Sequence, residues 1–538
     1  MTEIDAMMTP ARPQPEQLLP GLWRFEDHCN VYVVQVGERA IAVDFGSGRW
    51  LSRLPELGIQ RLEHVFLTHH HADQCAGLQA QATWPFTIHA PAGEQPFLDP
   101  ALQAQGTFDR RYRGCPNSYK VLRGGVPNVR YDTMAGFTDT FWGNQRIRFI
   151  HTPGHGPNAC SVILDHAGKQ VVFCGDAAHA GATLWEPYHL EWDHWTGAGA
   201  LAAWEGVLRL HGVGVDLLCP AHGPVVQARP RAMLKELADR LIMFYQAKGQ
   251  ISPGENDDYL TPVMLACGAR QVLPNLYQFG ENGYLLCAAN GEGLVIDPFH
   301  VDMPALNALL DELSAGGAMG KAPIHITATT STHYHADHCD AAPELRERFG
   351  ARVVLHPWVA EALAGDLPLE VPWLPLQPVT ADELWPQRGT WQWNEYEFMV
   401  APWPGQTRWH CAFMASIAGQ RVLWGGDSFQ PSSRWNGTGG FCAYNGSRFT
   451  EGFAASAQLV LDWKPQVIAC GHSTYYRFHA SRFNKIKRWA KATEKATTAL
   501  CPSGNLEQDY YAINRFAMQP PSGDAHARGE LFWLNATP

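Results

Sequence analysis

No stretch of this 538-residue chain comes near the roughly 20 consecutive apolar residues that a membrane-spanning helix needs, so no membrane partner is expected. Residues Met1 to Gln17 are polar and Pro-containing and hold no apolar signal core; the expected compartment is the cytoplasm. Basic charge is scarce too. The net charge of −11 leaves no positive footprint of the kind a nucleic acid requires, which makes a nuclease the least favoured reading. One local exception, Arg110, Arg111, Arg113, Lys120 and Arg123, reads as a solvated surface or as a lip steering anions toward a site. None of the 13 cysteines forms a CxxC pair, and most sit in apolar runs such as Val171 to Cys174, as reduced buried thiols do. There is no G-x-S-x-G elbow, and so no support for a serine-nucleophile mechanism.

Apolar residues, by contrast, make up 46% of the chain and charged ones only 17%, a composition that folds. Since a single core stops growing at roughly 250–300 residues, two domains are expected. The sequence carries them as one plan used twice. Gln17 to Phe25 (QLLPGLWRF) is matched by Gln271 to Phe279 (QVLPNLYQF). Each is followed by two strand-like runs, the second ending in Asp: Val31–Val36 and Ala40–Asp44, then Tyr284–Ala288 and Leu294–Asp297. Between the copies, Met233–Tyr245 has helical apolar spacing, and Gly249–Asp258 has the Gly, Pro and charge of a linker. The expected organisation is a flexible N-terminus (1–16), a first domain (17–250), a linker (251–267) and a second domain with a C-terminal extension (268–538). Strand and helix patterns alternate in each half, which predicts a layered α/β class.

Two motifs carry the chemistry, Thr68-His69-His70-His71-Ala72-Asp73-Gln74 and Thr332-His333-Tyr334-His335-Ala336-Asp337-His338. Each follows an apolar strand, and residues i and i+2 of extended backbone face the same side, so His69 with His71, and His333 with His335, can grip one ion together. The Asp and His of the following turn then face a second position. Imidazole and carboxylate donors suit zinc, with iron or manganese as alternatives.

The pattern resembles the metallo-β-lactamase superfamily, and further landmarks keep step with it: His151-Thr152-Pro153-Gly154-His155, Gly175-Asp176 and Pro220-Ala221-His222-Gly223, with Gly425-Gly426-Asp427 and Cys470-Gly471-His472 in the second copy. The resemblance implies two tandem αββα sandwiches. It also implies that His155 completes the first metal position, that Asp176 bridges two ions, and that His222 completes the second position. Both copies depart from the pattern. Gln74 stands where a His is expected in the first, and Gln406 where one is expected in the second, with His410 four residues on as a substitute ligand or a strand histidine. An amide oxygen is a poorer ligand than imidazole for such an ion. The first copy is therefore expected to hold one metal firmly, through His69, His71, His155 and Asp176. The second is expected to rely on Asp337, His338, Asp427 and His472. Asp73 and Asp337 are the candidate catalytic carboxylates, orienting the nucleophile or holding a second ion.

His179, His189 and His194 lie in the Trp-rich segment after Asp176, and Trp435 to Tyr444 is its aromatic, Gly-rich counterpart. Either segment lines a small-molecule pocket or packs helix on sheet. Cys75 and Cys339 read as small packing residues near the metals, and His28, His64, His89, His151, His325, His356 and His479 as structural. The leading functional expectation is hydrolysis of a small ester, thioester or lactone by a metal-activated water, in the manner of glyoxalase-II-type enzymes. The alternatives are an iron oxygenase of persulfide-dioxygenase type, using His69, His155 and Asp176, or one catalytic copy beside a silent scaffold.

Overall fold

The computed structural model describes residues 13–80, 83–104, 121–122, 124–132, 137–191, 197–249, 258–316, 323–364, 373–375, 377–430, 441 and 443–511. The basic cluster from Arg110 to Arg123, His194, most of Trp435 to Tyr444, linker residues 251–257 and the extension beyond residue 511 lie outside the described residues.

Short turns make the opening strands antiparallel. Pro15–Leu19, Leu22–Glu26, Asn30–Val36 and Arg39–Val43 pair in succession. Longer crossovers then bring Arg61–Phe66, Thr87–Pro91 and Val129–Asp132 in parallel, completing a seven-stranded sheet. A five-stranded sheet follows, from Phe137–Trp142 to Leu217–Pro220, its last pair parallel. The two sheets stack through Tyr32, Val34, Ile41 and Phe66 on one and Ile147, Phe149, Val162 and Phe173 on the other. The outer face of the second sheet is covered by helices Ala198–Gly212 and Pro230–Gly249, which bury Val207, Leu210, Leu234 and Leu241 against Val172 and Leu218. Because both faces are covered, Asn30–Val34 is buried residue after residue, and the strand reads as a continuous apolar run without alternation.

The second half repeats the plan. An eight-stranded sheet from Val263–Met264 to Glu383–Leu384 stacks on a six-stranded sheet from Gly389–Trp393 to Tyr475–Arg477 through Leu286, Ile296, Ala328, Phe398, Phe413 and Trp424. Helices Met303–Gly316 and Ala342–Phe349 cover one outer face, and Ala455–Trp463 and Ala480–Thr498 the other. The molecule is α/β, two tandem αββα sandwiches. Two stretches read as connections contribute sheet edges. The first strand begins at Pro15, and Val263–Met264 pairs with Arg270–Gln271, so each sheet extends to backbone that the sequence marks as flexible or linking.

The halves meet through their helical layers. Helix Pro230–Gly249 packs on Ala480–Thr498, Leu184 N donates to Leu500 O (2.9 Å), and Trp489 Nε1 donates to Lys248 O (2.9 Å). Among the described residues no helix is long and apolar enough to cross a membrane.

Candidate metal centres

In both halves the metal motif is the loop that leaves a buried parallel strand, and the same device aims its first histidine. Asp44 and Asp297 end the preceding strand in the left-handed region (φ 57° and 54°), which turns their carboxylates under the loop. Asp44 accepts from Thr68 N (2.8 Å) and from its hydroxyl (3.0 Å); Asp297 accepts from Thr332 N (2.6 Å) and from its hydroxyl (2.9 Å). The single hydroxyl proton is thus committed to the carboxylate, so the oxygen accepts from His69 Nδ1 in one half and His333 Nδ1 in the other, each at 3.0 Å. That choice of tautomer leaves Nε2 of both rings as a lone pair facing inward.

Three such nitrogens converge in the first half. His71 Nδ1 lies 3.0 Å from His69 Nε2 and 3.1 Å from His155 Nε2, and all three rings are buried. Ligands about 2.05 Å from a tetrahedral zinc stand about 3.3 Å apart, so the triad fits such an ion. Burial pushes His69 down to about 4 and His71 well below the usual imidazole range, so both are neutral donors at pH 7. Asp176 Oδ2 stands 3.7 Å from both His69 Nε2 and His155 Nε2.

The second position of this half is filled differently. His222 spans two carboxylates, with Nδ1 2.8 Å from Asp176 Oδ1 and Nε2 3.3 Å from Asp73 Oδ2. Burial alone would lower its pKa, but Asp176 and Asp73 raise it to about 10, so an imidazolium ties the two acids together. Burial in turn would raise Asp176, but His222 and the other imidazoles hold it at about 2. Gln74 does not face the cluster as a bare acceptor: its Nε2 donates to Asp176 Oδ2 at 3.3 Å. Trp185 stacks flat on His222, with centroids 4.4 Å apart and an 8° tilt.

The second half builds the complementary position. His338 Nε2 and His472 Nε2 lie 3.2 and 3.4 Å from Asp427 Oδ1, and 3.6 and 3.7 Å from Asp337 Oδ2. Each outer nitrogen faces a carboxylate, His338 Nδ1 at 3.1 Å from Asp297 Oδ2 and His472 Nδ1 at 2.7 Å from Glu281 Oε1, which turns both Nε2 atoms inward. Asn282 Nδ2 donates to Asp337 Oδ2 (3.0 Å), and Asn282 Oδ1 accepts from His472 N (2.7 Å). Gly471 makes the room: a Cβ there would sit 2.5 Å from Asp427 Oδ1 and 2.6 Å from His338 Cε1. Gly471→Ala is therefore expected to abolish cation binding at this centre while the first retains its ion. Elemental analysis of the purified variant checks this, and an unchanged metal content would contradict it.

His410 falls in none of the converging sets. Its ring lies parallel to His333 (4.8 Å, 6°) and its Nδ1 is 3.1 Å from Cys411 O, because the residue pairs with His333 as a β-bridge at the start of strand Cys411–Ile417. Gln406 meanwhile donates to Asp427 Oδ2 at 3.0 Å. His333 approaches His338 and Asp427, but His335, though buried, belongs to neither converging set. Asp73 meets His222 and not the three-histidine set, whereas Asp337 stands as a donor of the second centre. His189 borders the first centre and His179 hydrogen-bonds Thr183 beside it. Cys75 and Cys339 donate to the carbonyls of His71 and His335, each at 3.2 Å, closing the motif turns as packing residues.

The partners Asp44 and Asp297, together with Glu281 and Asn282, were not singled out by sequence reasoning. The repeated Asp at the end of the second strand was the available signal for the first pair. Glu94, whose carboxylate meets both the backbone N (3.0 Å) and Nδ1 of His70, left no such signal.

The centres should take up metal with different pH dependence. Burial holds His69 at about 4 and His71 well below the usual imidazole range, so neither ring gives up a proton on binding above about pH 5. Against the opposing effect of burial, Asp427 raises His472 to about 9 and Asp427, Asp337 and Asp297 raise His338 well above the usual range, so loading the second centre at pH 7 displaces a proton from each and its affinity should climb toward pH 9. Calorimetric titration with Zn²⁺ in buffers of different ionisation enthalpy reads both, using variants that keep one centre at a time. Equal proton release from the two would contradict the assignment.

A buried three-imidazole cluster in the first half and two imidazole–carboxylate clusters sharing His338 in the second, each at the loop rim of an αββα sandwich, define candidate metal sites of duplicated design. The model of the metallo-beta-lactamase superfamily matches residues 24–230 and 276–472, and the chain belongs to that superfamily. Similar solved structures include a beta-lactamase domain protein from Burkholderia ambifaria (19% identity, TM-score 0.33, covering 46% of this chain and 81% of that one). A metallo-beta-lactamase family protein from Thermus thermophilus matches at 18% identity and TM-score 0.33, covering 44% and 85% of the two chains. A subclass B3 metallo-beta-lactamase of Bradyrhizobium japonicum matches at 17% and 0.32, covering 44% and 94%. A comparison with curated proteins found no match.

Proposed function

We propose that the chain is a metal-dependent hydrolase of a small ester, thioester or lactone, with catalysis at the first centre and a carboxylate-rich, supporting metal site in the second half. The observation that carries this reading is the three-imidazole cluster of His69, His71 and His155, buried and mutually within 4.8 Å. Catalytic zinc sites keep an open fourth position beside three protein ligands, whereas closed four-donor sites are structural. Asp176 has one oxygen on His222 and the other near Gln74, which favours leaving that fourth position to substrate or water. In the second half His338 and His472 each face both Asp427 and Asp337, so that centre is rich in carboxylate.

A bound metal would supply Lewis acidity, acidifying water and polarising an acyl oxygen. The chain supplies the rest. His222 stays charged between its two acids, so Asp73 is the group placed to accept a proton. Trp185, flat on His222, offers an apolar wall for the acyl or leaving group, and His189 covers the opposite side of the ligand rings. Zinc is the metal this donor set favours, and a small molecule is the partner it accommodates.

The test is elemental analysis of full-length protein purified without chelator, followed by assay against thioesters, lactones and aryl esters. Zinc together with turnover that vanishes in His71→Ala is the expected result. Iron together with thiol-dependent oxygen uptake and no hydrolysis would replace this reading with that of an oxygenase.

A further inference from the structure

The first centre is walled by a residue of its own half that is held in place by the other. His189, in the turn Pro187–Glu191, is fully buried, with its ring 4.5 Å from that of His71 and 4.4 Å from that of His155. Its Nε2 lies 3.3 Å from Glu186 Oε2, and its Nδ1 lies 3.2 Å from the hydroxyl of Tyr444. With Nε2–H donating to the carboxylate, Nδ1 is left to accept from the tyrosine.

Tyr444 belongs to the second half, in the short turn Ala443–Asn445. Every residue of that turn makes a buried contact with one of the two sites' surroundings. Ala443 N donates to Glu191 Oε2 (2.9 Å), and the Tyr444 ring meets Tyr188 edge-on at 5.6 Å. Asn445 Oδ1 accepts from the hydroxyl of Tyr334 (3.1 Å), and Tyr334 stands between His333 and His335 in the second metal motif. A chain of buried side chains thus runs from His71 through His189, Tyr444 and Asn445 to Tyr334.

We propose that Tyr444 is a positioning residue of the first metal centre. Its hydroxyl fixes the His189 ring against His71 and His155, so that the first half's centre is complete only with the second half packed on it. The inference rests on the first centre holding a metal and is independent of which reaction that metal serves. Water cannot replace the bond, because Tyr444 and His189 are both buried. Loss of groups that orient metal-ligating imidazoles costs roughly 10–100-fold in affinity, and one contact further out the lower end applies.

The experiment uses full-length protein carrying Gly471→Ala, so that only the first centre binds, titrated with Co²⁺ by visible absorbance and by chelator competition. Tyr444→Phe keeps the ring and removes the hydroxyl; His189→Phe keeps a ring and removes the acceptor. Each is expected to weaken Co²⁺ binding about tenfold and to shift the ligand-field bands, with the thermal midpoint little changed. The double variant should be no weaker than either single one, since both remove one bond. An unchanged affinity and spectrum in Tyr444→Phe, or additive losses in the double variant, would overturn the proposal. If the Gly471→Ala background binds no Co²⁺, the first metal centre itself is wrong and the proposal falls with it. Binding that is insensitive to Tyr444→Phe removes the proposal alone.

Discussion

Replacing His155 with alanine is expected to lower turnover by at least about 1,000-fold, whereas replacing His472 lowers it by less than about tenfold, although each removes one metal per chain. The asymmetry follows from donor type. His155 is one of three imidazoles whose nitrogens stand 3.0 and 3.1 Å apart in sequence from His69 through His71 to His155, and among the described residues no fourth protein donor in that half approaches the set as closely. Removing one leaves two nitrogens and Asp176, whose Oδ2 is 3.7 Å from His69 and whose Oδ1 is held by His222. His472 faces Asp337 and Asp427, and two carboxylates would offset the charge of a dication and weaken it as a Lewis acid. Steady-state kinetics with metal analysis on both variants checks this. A greater loss in His472→Ala than in His155→Ala would move catalysis to the second half.

The seam between the halves should be as sensitive as the centres, in stability. Glu191 and Lys248 are both buried, with Oε1 and Nζ 2.6 Å apart. The carboxylate also meets the hydroxyl of Tyr510 and accepts from Ala443 N, both from the second half, while the ammonium lies 5.4 and 5.1 Å from the ring centroids of Phe244 and Phe441. Breaking a buried ion pair from one side leaves an uncompensated charge, so Glu191→Ala is expected to cost about 3–5 kcal/mol in urea unfolding. Replacing both members by Met should recover much of this, because no charge is then stranded. About 1–3 kcal/mol should remain for the donors left unpaired on Tyr510 and Ala443. A cost below about 1 kcal/mol for Glu191→Ala would show that the pair is not desolvated as its burial implies.

The two metal motifs could be read from one sequence because their spacing is local, whereas Asp176, His222, Asp427 and His472 came from the superfamily resemblance. A strand feeding an HxHxD turn has few ways to point its side chains, and the second copy repeats the register. The departure of each copy from the full ligand pattern was readable too, since Gln74 and Gln406 each replace an imidazole. For His410 the sequence left a substitute ligand and a strand histidine both open, because proximity in sequence to Gln406 says nothing about ring direction, which the bridge to His333 sets. Glu94, Glu281 and Asn282 escaped notice for a related reason: hydrogen-bond partners that orient a ligand need only lie near it in space, at any separation along the chain.

Local chemistry, then, settled the superfamily, the duplication and the donor types, since strand period, turn residues and ligand identity act over a few positions. Tertiary packing decided what those donors can do. It closed His222 between two acids, gathered three imidazoles in one half and two imidazole–carboxylate sets sharing His338 in the other, and set Tyr444 of the second half against His189 of the first. Distances between segments some 250 residues apart depend on how two complete cores stack, and no pattern within either segment contains that information.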